Sequence, residues 1–342
     1  MSEGAARSVR AGRRTVRVHR PDKVLFPGSS RSSGSGSSGS PGSSGTSGSS
    51  GSSRSSGSSG GGNVPEYTKG DLVDYHRAIA RFMLPHLRGR PLMLDRRPDG
   101  IDGPAFMQKN TPDSYPEWIT RAKVPKEGGT VVHTVCDDTA TLLYLVDQAA
   151  ITLHRWLSRT DSLDNPDRLV FDLDPPGDDF GTAREAARLL GELLEELKLP
   201  SALMTTGSRG LHVVVPLDGR HSFDEVRDFA REVADTLAEA HPDRLTTAAR
   251  KKDRGDRLYL DVQRNAYAQT AVAPYTVRAL PGAPVAAPFA WDQLDDPGLT
   301  ARRWTIADAL EQARTDPWAG LLRRGRALGP ARRRLRELHG SH

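Results

Sequence analysis

Asp172 and Asp174 stand one residue apart at the end of an apolar run, Arg168-Leu169-Val170-Phe171-Asp172-Leu173-Asp174-Pro175. In an extended strand side chains alternate faces. Leu169, Phe171 and Leu173 are therefore expected to enter a core while both aspartates leave together from the other face. Two carboxylates on one strand face repel each other unless a cation lies between them, and a divalent metal is the usual answer. Asp261, in Leu258-Tyr259-Leu260-Asp261-Val262, is the candidate third ligand if its strand neighbours the first. Three convergent carboxylates can hold two divalent ions against a nucleotide's phosphates, one activating an attacking 3′-hydroxyl and the other steadying the leaving pyrophosphate. The pair has another reading, because Pro175-Pro176-Gly177 follows at once and either aspartate could simply open a turn.

A second group is Thr205-Thr206-Gly207-Ser208-Arg209-Gly210-Leu211-His212. A small polar turn between two strands presents backbone N–H groups, hydroxyls and a guanidinium in one place, which suits phosphate. His212 could donate to a phosphate oxygen. The alternative is a plain hairpin turn with a structural histidine. Arg278, after Thr270-Ala271-Val272-Ala273-Pro274-Tyr275-Thr276-Val277, could pair with triphosphate oxygens or be an ordinary surface arginine.

These residues need positioning elements. Thr68-Lys69-Gly70-Asp71 reads as a capping box opening a helix that Gly89 ends. Strands are expected near 91–94 and 130–135, and a helix over 139–157 with Leu142, Leu145, Val146, Ala149 and Leu153 inward. The Asp172 strand precedes a helix over about 182–198. A strand over 202–206 turns at 207–210 into its hairpin partner at 211–217. Ser222-Phe223-Asp224-Glu225 caps a helix reaching about 240, and 257–262 is a further strand. The last third reads as irregular until 306–314. Alternating strands and helices with a hairpin among them predict a mixed sheet.

The chain has 342 residues and a formal charge of +5, with arginines concentrated near both ends. Such ends suit a polyanion such as DNA or RNA, or are solvated tails. Residues 28–63 are almost only Ser and Gly and have nothing to bury, so they read as a flexible tether. The one cysteine, Cys136, excludes an internal disulfide and is expected in the core. No stretch is apolar enough to span a bilayer and no apolar signal core is present, so a cytoplasmic, nucleoid-associated protein is expected.

Several stretches carry a resemblance to a known family: Pro21-Asp22-Lys23-Val24-Leu25-Phe26-Pro27, Thr68-Lys69-Gly70-Asp71-Leu72, His86-Leu87-Arg88-Gly89-Arg90-Pro91, Arg97-Pro98-Asp99-Gly100, Phe106-Met107-Gln108-Lys109-Asn110, 169–175, 206–212, 273–278 and 283–288. Together they make the chain resemble the polymerase domain of bacterial ATP-dependent DNA ligase D, of the archaeo-eukaryotic primase superfamily. The resemblance implies an α+β primase-polymerase fold, with a central mixed, mostly antiparallel sheet flanked by helices. It divides the chain into a basic segment with a 5′-phosphate-binding motif (1–27), the Ser/Gly insertion (28–63), the polymerase domain (64–320) and a basic tail (321–342). Asp172, Asp174 and Asp261 are implied as the catalytic metal triad for two Mn2+ or Mg2+ ions. Thr206, Ser208, Arg209, His212, Arg254, Arg278 and His154 are implied as contacts to an NTP or dNTP. Lys23 and Lys69 are implied to grip the 5′-phosphate across a DNA gap. Phe106 and Lys109 are implied to meet the template, Phe106 by stacking that tolerates any sequence. Implied partners are gapped or broken DNA, the end-binding protein Ku, and a separate ATP-dependent ligase acting in trans.

Some positions depart from the family pattern. Met107 stands where a second aromatic is common, Thr206 where serine is usual, and Asp95 where a lysine is expected. Asp95 is expected to weaken a DNA-backbone contact or to form a local salt bridge. The insertion separates Lys23 from Lys69, at a modest entropic cost for closing the loop. The leading expectation is a nucleotidyltransferase extending a 3′-hydroxyl at gaps or double-strand-break ends. A catalytically idle end-binding module and a primase that starts chains without a primer are the alternatives.

Overall fold

The apolar run around Phe171 is a strand, β10 (Arg168–Asp174), within a six-stranded sheet. The computed structural model describes residues 6–29, 64–177, 179–321 and 324–340. β10 is flanked by β14 (Leu258–Asp261) and β12 (Leu211–Pro216), both antiparallel to it. β11 (Ala202–Thr205) and β16 (Pro288–Phe289) extend the sheet beyond β12, and β13 (Leu245–Thr246) lies parallel to β14 at the other edge. The mixed, mostly antiparallel sheet is thus observed. A second, antiparallel sheet accompanies it, with strands in the order β15 (Thr270–Val272), β9 (Ala150–Trp156), β5 (Leu92–Arg96) and β6 (Phe106–Gln108).

Both faces of β10 are covered, as its near-continuous apolar sequence demands. Leu169, Phe171 and Leu173 join the larger apolar cluster with Leu190 and Leu194 of α3 (Phe180–Glu196) and Phe229 and Val233 of α4 (Phe223–Ala240). Val170 faces the other way, into a cluster with Met204, Val214, Trp156 and Ala271. The two sheets therefore meet across Val170, and the chemistry-bearing residues lie further along the same seam.

Local capping explains where the helices begin. α1 (Lys69–Leu87) starts at a complete capping box, in which the Asp71 amide donates to the Thr68 hydroxyl and the Asp71 carboxylate accepts from the Thr68 amide. Ser222 and Glu225 do the same for α4. The helix expected over 139–157 is corrected. α2 (Thr139–Asp147) stops early, Ala149 takes a left-handed φ of 58°, and the chain continues as β9. Leu153 is buried either way, so its helical spacing from Ala149 gave a false continuation. The correction matters, because strand alternation now places Thr152, His154 and Trp156 on one face.

Near the N-terminus, β1 (Arg7–Ala11) and β2 (Arg14–Val18) form a hairpin with Val9, Ala11, Val16 and Val18 inward and arginines outward. β3 (Val24–Phe26) pairs with β4 (Tyr67–Thr68), and β7 (Arg121–Lys126) with β8 (Gly129–Thr134). Of the segment read as a tether, 30–63 lies outside the described residues. Its flanks Ser29 and Val64 are bridged. After α5 (Ala309–Arg314), the segment read as a basic tail contains α6 (Leu328–Gly340). Leu328, Ala331 and Leu335 bury a helical stripe there, and Arg332 reaches Glu232 of α4 at 3.1 Å. Cys136 is buried as expected. Among the described residues no helix is long and apolar enough to cross a membrane.

Candidate active site

Asp172 and Asp261 are direct cross-strand partners in β10 and β14. Residues directly opposite in an antiparallel pair share a face, with Cβ atoms about 5 Å apart. On the other flank Asp172 is opposite His212 of β12, whose Nε2 lies 3.4 Å from Asp172 Oδ1 without hydrogen-bond geometry. His212, Asp172 and Asp261 thus form a row across three strands, and Asp174 follows two residues along β10. The register that would have dispersed the triad is not the one adopted.

Burial opposes ionisation of all three carboxyls, and their neighbours decide the outcome. At Asp172 the His212 imidazole and the Arg264 guanidinium outweigh burial and hold the carboxyl below its ordinary value. Asp174 is pushed up by burial and then by the Asp172 charge, against the pull of Arg209, whose Nη2 lies 3.6 Å from Asp174 Oδ2. Asp261 is also pushed up, first by burial, although its Oδ1 accepts from the Gln263 amide at 2.8 Å. Carboxyls crowded on one face in this way are relieved by a cation placed between them.

Among the described residues no group of three or more His, Cys, Asp or Glu side chains encloses a point suited to a metal ion. Arg264 occupies the ground instead, with Nε donating to Asp172 Oδ2 at 3.1 Å. The donor chemistry nevertheless fits a hard divalent ion: three carboxylates, no thiol, and a buried Asp172 Oδ1 that no hydrogen bond satisfies.

The polar turn closes on itself. The Thr206 hydroxyl donates to the Gly210 carbonyl at 3.1 Å, and the Thr206 amide donates to the same carbonyl at 3.0 Å. Gly207 sits at φ +65°, where a side chain is strained. Arg278 Nη1 donates to the Thr206 carbonyl at 2.6 Å, which ties the turn to the segment after β15. The resulting cleft has about 80 Å³ of free space and is lined by His154, Asp172, Asp174, Thr206, Ser208, His212, Arg264, Val272 and Arg278. That is the volume of about three waters, enough for ions and phosphate oxygens at its floor. Burial, with Arg278 and Arg264 nearby, lowers the His154 imidazole to about 3, so it is neutral at ordinary pH. Arg254 does not line the cleft. Its guanidinium stacks 3.8 Å from the Tyr259 ring centre and donates to the Ala248 and Ala249 carbonyls.

Two residues here received no role from the sequence. Arg264 is one. Asn265 is the other: fully buried, it accepts from the Val170 amide and donates to the Val170 carbonyl, at 2.9 and 2.7 Å. It completes the β10 ladder where β14 no longer pairs. Both follow Asp261 within four residues, a polar Gln-Arg-Asn run whose function depends on contacts invisible in one dimension.

Lys23 and Lys69 come together despite the insertion. β3 pairs with β4, and the Lys69 amide donates to the Lys23 carbonyl at 2.8 Å. Their ammonium groups are held differently. Lys23 reaches exposed Asp99 at 3.0 Å, whereas buried Lys69 donates to the Asp147 carbonyl at 2.8 Å and carboxylate at 3.3 Å. Lys23→Ala is therefore expected to change stability by less than about 1 kcal/mol. Lys69→Met leaves the buried Asp147 carboxylate with the His19 amide and imidazole as its partners from the N-terminal segment and is expected to cost about 3 kcal/mol. Urea unfolding of both variants checks this, and comparable losses would contradict it.

Phe106 and Met107 stand exposed on β6, 56% and 47% accessible, with Lys109 exposed just beyond the strand. Asp95 forms the local salt bridge, with Arg97 Nε 3.0 Å from its Oδ1.

A family model for the LigD primase-polymerase domain matches residues 68–318. The multifunctional non-homologous end joining DNA repair protein LigD of Mycobacterium tuberculosis is 37% identical over 241 residues, covering 68% of this chain and 32% of that protein. The LigD proteins of Pseudomonas aeruginosa and Bacillus subtilis are 33% and 32% identical, covering 78% and 72% of this chain and 32% and 39% of their own lengths. The chain spans about a third of the length of the curated relatives it matches. The polymerase domain from M. tuberculosis ligase D, solved in complex with DNA, superposes with a TM-score of 0.70 at 33% identity, over 76% of this chain and 93% of that one. Matched by the family model over a range that holds all three aspartates, the chain belongs to the LigD primase-polymerase domain family.

Proposed function

We propose that this chain is a DNA-dependent nucleotidyltransferase that adds ribonucleotides or deoxyribonucleotides to a 3′-hydroxyl at gaps or double-strand-break ends, in bacterial non-homologous end joining. The observation that carries this reading is the placement of Asp172 opposite Asp261, with Asp174 two residues on and the phosphate-suited turn beside them.

Asp172, Asp174 and Asp261 are the residues that would hold divalent ions, Mn2+ or Mg2+. When bound, those ions supply charge neutralisation at the phosphates and a more acidic attacking hydroxyl. The protein's own groups do the rest. Arg209 and Arg278 stand where they can hold triphosphate oxygens and offset charge that grows during in-line displacement. Ser208 offers a hydroxyl donor, and Thr206 offers a second once its hydroxyl leaves the Gly210 carbonyl. His154, kept neutral by burial, presents its imidazole beside the sugar of a nucleotide. Lys23 and Lys69, neighbours through the β3–β4 pairing, are the residues proposed to meet a downstream 5′-phosphate, and Phe106 offers an exposed ring to the template. DNA ends and Ku are the partners on this reading. The sealing step that must follow belongs to a ligase module other than the domain described.

The test is extension of a primer across a gapped duplex with labelled ribo- and deoxyribonucleotides, with Mn2+ or Mg2+, and with or without a downstream 5′-phosphate. Metal-dependent addition that the 5′-phosphate accelerates is expected. No addition under any of these conditions would refute the reading. The idle end-binding module draws support from one observation, the Arg264–Asp172 ion pair that already neutralises the carboxylate. DNA binding without extension would favour it.

A further inference from the structure

Six arginines and no acidic residue lie between Arg7 and Arg20. The β1–β2 hairpin sorts them. Val9, Ala11, Val16 and Val18 join the large apolar cluster, and the hairpin packs on α2. Strand alternation then commits Ser8, Arg10, Thr15 and Arg17 to the outward face. Ser8 is opposite Arg17 and Arg10 is opposite Thr15, so the two guanidiniums are diagonal neighbours, rooted about 7 Å apart. A two-residue turn with Gly12 at φ +61° carries Arg13 at the tip. Arg7 is paired with Asp74, Arg14 lies over the Trp118 ring, and Arg10 Nε donates to the Gly12 carbonyl of its own turn. Arg10, Arg13 and Arg17 are exposed and have no carboxylate partner among the described residues.

The face begins beside the residues proposed to meet a 5′-phosphate. At the end of β2 the His19 amide donates to Asp147 Oδ1 at 2.7 Å, and the same oxygen lies 3.3 Å from Lys69 Nζ. Arg20 follows, exposed, and acts on the Lys69 ammonium through its charge as Lys23 does. From His19 the strand runs back to Arg13, six residues or about 20 Å away, the length of about six base pairs. A merely solvated face mixes charges of both signs, whereas this one presents two hydroxyls and cations of one sign. Arginine, serine and threonine are residue types that bind phosphate oxygens. No aromatic ring stands on the face to stack with unpaired bases, and no apolar side chain to enter a membrane. A duplex backbone, with its dense and regular charge, is the partner this chemistry fits. The hairpin precedes residues 68–318, the range that the family model matches.

We propose that this outward face docks the sugar-phosphate backbone of the DNA duplex beyond the gap, with Ser8, Arg10, Thr15 and Arg17 as its phosphate contacts and Arg13 at its tip. This role rests on the reading above that DNA is the partner and that Lys23 and Lys69 mark where the far duplex begins. Phosphate contacts of this kind add affinity and fix orientation without reading sequence.

Fluorescence anisotropy of the full chain over a salt series tests the surface. Two labelled probes are gapped duplexes with a long duplex beyond the gap, one bearing a 5′-phosphate and one a 5′-hydroxyl. The third is the same primer–template with no strand beyond the primer. The double variant Arg10→Gln/Arg17→Gln is expected to bind both gapped probes at least about tenfold more weakly near roughly 0.1 M salt, and to flatten the slope of log affinity against log salt by about two. Its preference between the two gapped probes should match the parent's, since Lys23 and Lys69 are untouched. Its binding of the third probe should change by less than about twofold, and Arg10→Lys/Arg17→Lys should restore the salt slope. Both arginines are exposed, so equal melting temperatures are expected for parent and variants. Unchanged affinity for the gapped probes, or equal weakening on all three, overturns the docking surface. So does tighter binding of a double-stranded RNA that the same variant loses, which assigns the face to RNA. A parent that ignores the 5′-phosphate refutes the lysine grip alone, because the contrast between probes with and without the far duplex still judges the hairpin. A parent that binds none of the probes overturns both.

Discussion

Asp174→Asn is expected to lower nucleotide addition by roughly a thousandfold or more, while making the metal-free protein more stable at neutral pH. The first effect follows from removing one of three carboxylates that would hold cations against the phosphates. Several kcal/mol of transition-state charge stabilisation depend on them. DNA affinity should change by less than about twofold, because the cations proposed to grip DNA lie elsewhere and supply most of that binding. The second effect follows from linkage. Burial and the neighbouring Asp172 charge raise the Asp174 carboxyl above its unfolded value. The folded state therefore binds that proton more tightly than the unfolded chain. Its contribution to stability is fully present below the unfolded value, near about 4, and is lost as pH rises through the folded value. Asparagine does not ionise, so the variant should melt higher than the parent at neutral pH. The advantage should vanish as pH falls below the unfolded value. Thermal melts in chelator at both pH values, beside the gap-extension assay, check the pair of effects. A variant that melts lower at neutral pH, or that still extends primers, would show that Asp174 is not held in reserve for a cation. Activity lost together with stability gained is what a residue selected for function against the fold produces.

How much of this was legible without coordinates depends on the range of the interaction. The alternation around Phe171 is local, and it correctly sent Leu169, Phe171 and Leu173 one way and the two aspartates the other. The capping boxes at Thr68 and Ser222 are equally local and were read correctly. Asp261 could be chosen by residue type and alternation, yet its position opposite Asp172 is a register between strands eighty-nine residues apart, which no local pattern encodes. The end of α2 was misread because Ala149 and Leu153 keep a helical spacing while the backbone leaves the helix through a left-handed residue. The stripe of α6 was hidden for a different reason. Leu328, Ala331 and Leu335 are helically spaced, but the arginines between them dominate the composition. Arg264 and Asn265 act through partners more than ninety residues away, and the meeting of Lys23 with Lys69 rests on a two-residue strand beyond the insertion.

Gly210→Ala is expected to be the most damaging single-methyl change near the site. A Cβ at this position would lie 2.1 Å from the Leu173 carbonyl oxygen and 2.7 Å from Asp174 Oδ1. The backbone of Gly210 is not left-handed, so the cost is steric and falls on β10 directly. Neither side can yield easily. Leu173 is paired with Leu211 in the sheet, and Gly210 is held from behind by Thr206, whose amide and hydroxyl both donate to its carbonyl. Overpacking of this kind costs about 3 kcal/mol, which lowers the melting temperature of a domain this size by roughly 6–12 °C. Activity should fall at least a hundredfold even below the melting range, since the methyl pushes on the Asp174 carboxylate and shifts it from its working position. Gly219→Ala separates this mechanism from generic glycine strain. Gly219 is left-handed at φ +68° but has no atom within 4 Å of its missing Cβ, so it should cost about 1–2 kcal/mol and leave nucleotide addition intact. If the two variants lose activity alike, the close approach of the turn to β10 is not what positions Asp174. If Gly210→Ala alone loses it, the turn serves two ends at once, as a phosphate cradle and as the wall that fixes the catalytic carboxylate.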